Sequence, residues 1–412
     1  MSRRAALAAR GARSARERLA VALAAIGTAA LLLGASGCAP EPAPARPSSS
    51  APKPTKTTPP PPTLEELRHA EAQRLVASWT PRERAGSIVM AGFEGTDPAP
   101  VRAFAAQQHL GGVILMGGNV PGTPEELRTL TAGLSPDPEL PVLTGIDEEG
   151  GEVTRLPWDD LPGAAELRSQ PPAQTTTAFR SRAGLLHDGG VTVNFGIVAD
   201  VTSDPNSFIF GRVLGETAAE SGPRVAAAVA GERGLVASTL KHFPGHGAAP
   251  GDSHSGIPRT DLDRASWKRD EAPPFADGIA AGAQLLMFGH LAYTAVDAAP
   301  ASLSPTWHRI ARDELGFTGV AVTDDLGMLL SSGDQAYADP TKNAVDALAA
   351  GNDLLLMVIG SDQATATGAI DGIVAAVAAV AAKTVPEARL TDAATRVTEL
   401  RLELAGWKPP AS

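Results

Sequence analysis

Residues 234–254 read Gly-Leu-Val-Ala-Ser-Thr-Leu-Lys-His-Phe-Pro-Gly-His-Gly-Ala-Ala-Pro-Gly-Asp-Ser-His. The apolar run 234–240 has the length and the flanking residues of a buried parallel strand. The glycines and prolines in 241–254 exclude a regular helix or strand, so this segment is predicted to be a loop. The loop contains one lysine, one aspartate and three of the chain's eight histidines. We therefore expect reactive side chains to collect where this strand ends.

Asp252 and His254 form the first candidate pair in this loop. Either residue alone is typical of a solvated connector, but burying several such groups costs free energy unless each finds a partner. An extended backbone sends residues two apart to the same side, which lets the Asp252 carboxylate accept a hydrogen bond from one nitrogen of His254. The other imidazole nitrogen is then free to donate and recover a proton near neutral pH.

Strand-like and helix-like segments alternate along the rest of the chain. This alternation predicts a parallel sheet, and eight strands with crossover helices favour an α/β fold, a single closed (β/α)8 TIM-type barrel. No repeat and no second low-complexity break divides this region, so one folded domain is expected. The predicted strands are 87–91, 112–116, 142–146, 191–195, 234–240, 284–288, 319–323 and 353–358, and the predicted helices are 64–79, 124–134, 179–187, 217–230, 273–281, 305–315 and 343–350.

Polar residues follow several of these strands, at the barrel face where active sites form. Structural interpretations also exist: an acidic turn for Asp147, a helix cap or turn for Asp200, and a surface ion pair for Arg212. His290 alone is more typical of a packed, hydrogen-bonded histidine, and only one of two adjacent aspartates is expected to point into the barrel mouth. The candidates are Asp147 and Arg155 after the third strand, Asp200 and Arg212 after the fourth, Lys241 and His242 after the fifth, His290 after the sixth, and Asp324 with Asp325 after the seventh.

The 412-residue chain carries a formal charge of −11. Residues 1–37 contain six arginines and one glutamate, a charge of +5, so the remainder carries −16. An acidic body argues against nucleic acid as a partner, and it offers no polybasic patch for a membrane surface.

The first 37 residues are typical of a secretion signal. Arginines precede the apolar segment 19–33, which is short for a membrane span. The signal ends in Ala-Ser-Gly-Cys at 35–38, which resembles the lipobox of bacterial lipoproteins. Cys38 is the only cysteine, so no internal disulfide can form, and its lipidation would anchor the protein at the outer face of the cytoplasmic membrane. A secreted protein with an incidental cysteine is the alternative.

A proline-rich segment separates this signal from the folded region. Ten of the 24 residues in 39–62 are prolines, a composition that cannot bury a core and predicts a semi-extended tether. The predicted organisation is a lipoprotein signal peptide at 1–37, a tether at 38–62 and a barrel domain at 63–412.

The run 241–247 (Lys-His-Phe-Pro-Gly-His-Gly), followed by Asp-Ser-His at 252–254, resembles the signature of glycoside hydrolase family 3 β-N-acetylglucosaminidases. The resemblance covers roughly residues 75–404. The other matching segments are 147–155 (Asp-x-Glu-Gly-Gly-x-Val-x-Arg), Asn194-Phe195, Gly289-His290, 300–304 (Pro-Ala-Ser-Leu-Ser), 315–319 (Leu-Gly-Phe-Thr-Gly) and 323–328 (Thr-Asp-Asp-Leu-Gly-Met).

The resemblance implies roles for individual residues. Asp324 corresponds to the family's nucleophile, and His254 corresponds to its acid/base residue, with Asp252 orienting the imidazole. Charged side chains suit a sugar site because sugar hydroxyls accept from Lys or Arg and donate to a carboxylate. The positions implied to hold the hydroxyls of N-acetylglucosamine are Asp147, Arg155, Arg212, Lys241 and His242.

The implied reaction is retaining hydrolysis of terminal β-linked N-acetylglucosamine, through a covalent glycosyl-enzyme in two displacements. Peptidoglycan fragments are the expected substrate, no metal or other cofactor is implied, and a monomer is expected. Because a neutral imidazole base does not repel an anionic acceptor, phosphorolysis is an alternative. A broader β-glycosidase and a non-catalytic, sugar-binding surface lipoprotein are further alternatives.

Three positions depart from the family pattern. Ala248-Ala249 replaces the usual Asp-Thr, which removes a possible hydrogen-bond anchor of the catalytic loop. Arg212 lacks the usual preceding Asp and following Ser-Phe, and Glu148 replaces the more frequent Gln or His. None of these changes removes a residue that the resemblance makes catalytic.

Overall fold

The computed structural model describes residues 61–358, 363–381 and 385–410, and it contains a closed barrel of eight parallel strands. Each strand pairs with its neighbour in chain order, and the last strand pairs with the first. The predicted (β/α)8 TIM-type fold is therefore confirmed. The barrel strands are β1 (Val89–Gly92), β2 (Gly112–Leu115), β3 (Leu143–Ile146), β4 (Val193–Val198), β5 (Ala237–Phe243), β7 (Leu285–Phe288), β9 (Val320–Thr323) and β10 (Leu355–Met357), and two short strands, β6 (Arg259–Thr260) and β8 (Ala292–Tyr293), pair with each other outside it.

Helices connect the strands on the outside of the barrel. The prediction at 124–134 matches the observed helix at both ends, because Thr123 caps the first turn, Pro124 follows it and Leu134 ends the buried stripe. The helices are α1 (Leu64–Ser78), α2 (Pro81–Ser87), α3 (Pro98–Gln108), α4 (Pro124–Leu134), α5 (Ala164–Leu167), α6 (Pro172–Asp188), α7 (Ala218–Glu232), α8 (Arg264–Asp270), α9 (Ala272–Ala280), α10 (Pro305–Arg309), α11 (Leu326–Ser331), α12 (Pro340–Ala350), α13 (Gln363–Ala381) and α14 (Glu387–Leu404).

The strands pack around a shared apolar cluster. Two glycines make room for its largest members: a Cβ at Gly112 would lie 2.6 Å from the Met90 methyl carbon, and a Cβ at Gly145 would lie 2.8 Å from the Phe195 ring. Helix α14 adds Val397 and Leu400. The strand residues of this cluster include Met90, Ile114, Leu143, Val193, Phe195, Ala237, Leu285, Met287, Val320, Val322 and Leu356.

Two strands extend further than predicted. Strand β5 was expected to end at residue 240, yet it continues to Phe243, so Lys241 and His242 lie in the strand rather than in a loop. Neighbouring strands on both sides supply the partners: Lys241 pairs with Val198 of β4, and Phe243 pairs with Phe288 of β7. The backbone of these two predicted sugar-binding residues is therefore held by the barrel itself.

Strand β4 likewise continues past the predicted end at residue 195 to Val198, so Asn194 and Phe195 lie inside the strand. Helices α3, α13 and α14 were not predicted. Helix α13 buries one stripe, Ile370, Ile373, Val374 and Val377, but the many alanines on its other faces hide this helical period in the sequence.

The signal segment 1–37 and residues 38–60 of the tether lie outside the described residues, as does Cys38. In the part of the chain that the structure describes, every helix is too short or too polar to cross a lipid bilayer.

A buried carboxylate joins the two strands where the barrel closes. The backbone bridge between β9 and β10 is a single pair, Val322 with Leu354. Asp353 supplements it, because its carboxylate accepts from the Ala321 amide at 3.0 Å and from Arg312 and Arg389 at 2.7 and 2.6 Å. The Asp353 side chain is only 1% exposed, so these bonds are shielded from water.

We expect Asp353→Asn to lower the free energy of unfolding by roughly 3–5 kcal/mol, because Arg312 loses its carboxylate partner and Arg389 keeps only the exposed Asp392. The matched control is Asp392→Asn. Asp392 also binds Arg389 and Arg396, but its side chain is 52% exposed, and we expect a loss of about 1 kcal/mol or less. Chemical denaturation of both variants measures the difference, and equal losses would contradict the assignment of Asp353 as the closing group.

Candidate active site

One cavity opens at the carboxyl ends of the barrel strands. Its volume is about 140 Å³, below the roughly 300–1,000 Å³ of sites for drug-sized ligands, so it suits a single small ring. Predicted site residues from four strand ends meet here. The lining residues are Met116, Asp147, Glu149, Val153, Arg155, Phe208, Arg212, Lys241, His242, Ser253, His254, Met287, Asp324, Asp325, Met328, Leu356 and Val358.

A network of four charged side chains forms one wall. The Lys241 ammonium at the end of β5 donates to Asp147 Oδ1 and contacts Glu149 Oε1, both at 2.7 Å. Arg212 binds the same Glu149 with two nitrogens, at 2.6 and 2.9 Å. Two cations and two carboxylates therefore balance each other, and Arg212 is not in the surface ion pair that its sequence context allowed.

Buried charges in this network keep their ionised forms. Burial alone would raise the pKa of Glu149, but Lys241 and Arg212 lower it to about 2. Burial acts to lower the pKa of Lys241, and the Asp147 and Glu149 carboxylates reverse that effect, so its pKa is raised. The wall therefore presents fixed charges of both signs to a ligand.

Arg155 completes this side of the cavity. Its Nε is buried and has no hydrogen-bond partner among the described residues. An arginine nitrogen in this state is available to donate to a ligand.

Asp324 follows β9 and lines the same cavity. Its backbone amide donates to the Phe288 carbonyl at 3.0 Å, and its Oδ1 accepts from the Asp325 amide at 2.9 Å. Burial acts to raise the pKa of Asp324, but interactions with His242 and His290 outweigh it, so the pKa is lowered. The carboxylate is ionised and able to act as a nucleophile.

The adjacent Asp325 has a different environment. Its Oδ1 accepts from the amides of Gly327 and Val358, at 2.9 and 2.7 Å, which caps α11 and ties it to the end of β10. Burial raises the pKa of Asp325 to about 7. Two backbone amides thus hold Asp325, whereas Asp324 accepts from one, and both aspartates line the cavity.

His242 and His290 are held in fixed orientations beside Asp324. His242 donates from Nδ1 to Asp200 at 2.7 Å, and Asp200 also accepts from the amides of His242 and His246. His290 donates from Nε2 to the Asp325 carbonyl at 2.8 Å and accepts from Ser302. Asp200 is therefore an orienting carboxylate rather than a helix cap.

The pair Asp252 and His254 has the predicted geometry. His254 Nδ1 lies 2.7 Å from Asp252 Oδ1, which also accepts from the His254 amide at 2.9 Å. The His254 side chain is 63% exposed, whereas Asp324 is half-buried. The His254 ring contacts Phe208 edge-on, with centroids 5.7 Å apart. An exposed imidazole with one nitrogen held by a carboxylate can exchange protons with water through the other.

The structure brings Asp147, Arg155, Arg212 and Lys241 to the same cavity as His242, His254 and Asp324. Asp252 does not line the cavity and reaches it through His254. Sequence reasoning assigned no role to Glu149 or Phe208. Charge balance could have identified Glu149, because Lys241 and Arg212 together need more negative charge than Asp147 supplies.

The Ala248-Ala249 substitution does not leave the loop without support. The Ala249 amide donates to the His246 carbonyl at 3.0 Å, and its side chain is buried in an apolar cluster.

In the described ranges, no group of three or more His, Cys, Asp or Glu side chains is arranged to hold a metal ion.

We expect Glu149→Gln to cost about 3 kcal/mol of stability at neutral pH, which corresponds to the fall of the Glu149 pKa from 4.5 to about 2. A lowered pKa in the folded state adds stability above pH 4.5, and this is lost as the pH falls through about 2. The difference between wild type and variant should therefore shrink over that range in denaturation experiments.

The control for this prediction is Glu152→Gln, an exposed glutamate in the same turn. We expect this variant to stay within about 0.5 kcal/mol of wild type. A difference between wild type and Glu149→Gln that does not change with pH would show that the Glu149 charge is not the stabilising feature.

The chain matches the family model described as the N-terminal domain of glycosyl hydrolase family 3 over residues 80–400. It is 34% identical over 292 residues to a beta-hexosaminidase of Alkalilimnicola ehrlichii, which covers 65% of this chain and 80% of the relative. It is 32% identical over 296 residues to beta-hexosaminidase A of Pseudoalteromonas piscicida. That match covers 64% of this chain and only 48% of the relative, so the chain spans about half of that protein.

Among solved structures, the chain is similar to a glycoside hydrolase family 3 beta-N-acetylglucosaminidase from Paenibacillus sp. The TM-score is 0.73 and the sequence identity is 29%. The match covers 81% of this chain and 65% of the Paenibacillus protein.

Proposed function

The chain belongs to glycoside hydrolase family 3, and from this premise we propose that it is a retaining exo-β-N-acetylglucosaminidase. It would remove terminal β-linked N-acetylglucosamine by hydrolysis. The relatives that are named beta-hexosaminidase or beta-N-acetylglucosaminidase support this choice of sugar.

The observation that carries the proposal is that His254 and Asp324 line the same cavity. A glycosidase needs a nucleophile and an acid/base group that reach one anomeric centre. The ionised, half-buried Asp324 suits the first role, and the exposed, carboxylate-paired His254 suits the second. A cavity of about 140 Å³ favours one terminal ring and therefore exo action.

The charged wall would bind the hydroxyls of that ring. Lys241, Arg212 and Arg155 donate hydrogen bonds, and the Asp147 carboxylate accepts them. Because Glu149 fixes both Lys241 and Arg212, these donors are in place before the sugar arrives. His242, whose ring is oriented by Asp200, adds a further polar contact.

The first displacement joins Asp324 to the sugar. Asp324 attacks the anomeric carbon while His254 donates its proton to the departing glycosidic oxygen, which gives a covalent glycosyl-enzyme and a free aglycone. His254 is then neutral and takes a proton from water. That water attacks the anomeric carbon and releases Asp324, and the two inversions keep the β configuration.

We further propose that the protein acts on peptidoglycan fragments outside the cytoplasm. The support is the secretion-type leader 1–37, the cysteine at its end and the proline-rich tether that follows. A lipid anchor at Cys38 would hold the barrel near the outer face of the cytoplasmic membrane.

Asp324→Ala tests the proposed nucleophile. We expect wild type to release the chromophore from an aryl β-N-acetylglucosaminide much faster than from the matching β-glucoside, and the variant to lose a factor on the order of 10⁴–10⁶ in kcat. Circular dichroism would verify that the variant folds. A variant with near-normal turnover would exclude Asp324 as the nucleophile.

The same assay separates the alternatives to hydrolysis of this sugar. Equal rates on the two aryl glycosides would favour a broader β-glycosidase, and binding without turnover by wild type would favour a sugar-binding protein. Products from a defined cell-wall disaccharide, with and without phosphate, would distinguish hydrolysis from phosphorolysis.

His254→Ala tests proton donation. Loss of a general acid should lower kcat/KM, which reports formation of the glycosyl-enzyme, by about 10²–10⁴-fold for substrates with poor leaving groups and much less for activated aryl glycosides, which need no protonation. Asp252→Asn is the companion variant, and we expect a smaller loss with the same dependence on the leaving group. A loss that is equal for all leaving groups would contradict the acid role.

A further inference from the structure

Glu148 lies between two residues of the charged wall, but its side chain turns away from the cavity. Its Oε2 accepts from the amides of Arg155 and Leu156, at 2.8 and 3.0 Å. The residue is fully buried, with 0% of its surface exposed. The Glu148 carboxyl thus closes the turn that carries Arg155 into the cavity.

The other oxygen of Glu148 faces a second carboxyl group. No amide or hydroxyl group of the described residues donates to Oε1, and the neighbouring side chain is Asp159. Asp159 is committed to other donors, because it accepts from Arg182 Nε at 2.6 Å and from the Leu161 amide at 2.9 Å. Both side chains of the Asp159 and Arg182 pair are 0% exposed.

One proton is needed between these two carboxyl groups. The Arg182 charge balances Asp159, so a second ionised carboxylate would leave an unpaired negative charge away from water, which is costly. Burial is the main cause that raises the pKa of Glu148 to about 8, and the carboxyl of Asp159 adds to it. Glu148 is therefore a neutral acid at pH 7 that donates to Asp159.

We propose that Glu148 is a positioning residue that, in its protonated form, holds the backbone of Arg155 for binding of the sugar. Arg155 depends on this support, since its own Nε makes no hydrogen bond within the described residues. An ionised Glu148 would repel the Asp159 carboxylate, and this repulsion would loosen the turn that carries Arg155. This inference rests on the proposed function, because it concerns the same sugar-binding site.

Other titratable groups surround Glu148. Asp147 and Glu149 precede and follow it, and both are paired with Lys241. Glu232 of α7 is linked to Glu148 by Asn194, whose Nδ2 lies 2.6 Å from Glu232 Oε1 and 3.0 Å from the Glu148 carbonyl. Burial raises the pKa of Glu232 to about 7, so its titration must be separated from that of Glu148.

The test is the pH dependence of KM for Glu148→Gln. A glutamine keeps the acceptor for Arg155 and Leu156 and offers an amide donor to Asp159, but it cannot ionise. For wild type we expect KM to rise about tenfold between pH 7 and pH 9, because one pH unit above a pKa of about 8 leaves roughly a tenth of the molecules competent. The variant should lack this rise, because a glutamine does not ionise.

Glu232→Gln is the matched control, an identical change at a neighbouring buried glutamate. We expect it to keep the rise in KM seen for wild type. Parallel KM profiles for wild type and Glu148→Gln would overturn the inference, as would loss of the rise in Glu232→Gln alone.

Two measurements test the protonation of Glu148 without an enzyme assay, and they therefore separate this inference from the proposed function. The pKa of Glu148 is higher in the folded state than its ordinary 4.5, so wild type should lose stability relative to Glu148→Gln from about pH 4.5 up to about 8, and no further above that. Thermal unfolding measures this trend. An infrared difference between wild type and variant at pH 7 should contain the band of a protonated carboxylic acid.

The results distinguish failure of the proposed function from failure of the inference about Glu148. If wild type cleaves no substrate, the proposed function fails, and the unfolding and infrared data still decide whether Glu148 is protonated. If wild type cleaves the sugar but the stability difference is independent of pH and the acid band is absent, the inference about Glu148 fails alone.

Discussion

The buried ammonium of Lys241 is the constraint around which the cavity is built. A lone cation at the end of a barrel strand would carry a desolvation cost, and the Asp147 and Glu149 carboxylates at 2.7 Å offset it. Glu149 in turn holds Arg212, which comes from a different connection of the barrel. Charge balance thus joins the ends of β3 and β5 to the segment after β4. Truncating any one member would leave another charge unpaired, so the sugar-binding wall behaves as a unit.

The two proposed catalytic groups differ in burial because their tasks differ. Asp324 must stay ionised in a dry site, and its backbone bonds and neighbouring histidines keep it so. His254 must gain and lose a proton in each cycle, and its side chain is 63% exposed. A buried imidazole would exchange protons slowly with water, and an exposed carboxylate would be a weaker nucleophile. The nucleophile therefore comes from the end of a barrel strand, and the proton-transfer group comes from an exposed loop.

The sequence predicted the barrel because each strand is a short apolar run with clear breaks on both sides. It did not predict that β5 continues through Lys241 and His242, because the prolines and glycines nearby are typical of a loop. The extension depends on pairing with β4 and β7, which only the assembled sheet provides. The pairing of Asp252 with His254 was local and could be predicted. The partner of Arg212 lies 63 residues away, so charge balance could point to Glu149 but local spacing could not.

Two pairs of adjacent carboxyl groups in this protein have pKa values shifted in opposite directions. Burial raises the pKa of Glu148 to about 8, whereas the cations beside Glu149 lower its pKa to about 2. The extended backbone sends neighbouring side chains to opposite sides, so Glu149 faces Lys241 and Glu148 faces Asp159. Asp324 and Asp325 are divided in the same way, with a lowered pKa for the first and a pKa raised to about 7 for the second. In each pair the member with the lowered pKa lies beside cations or histidines, and the member with the raised pKa accepts from two backbone amides, so the partners of an acidic residue decide its role.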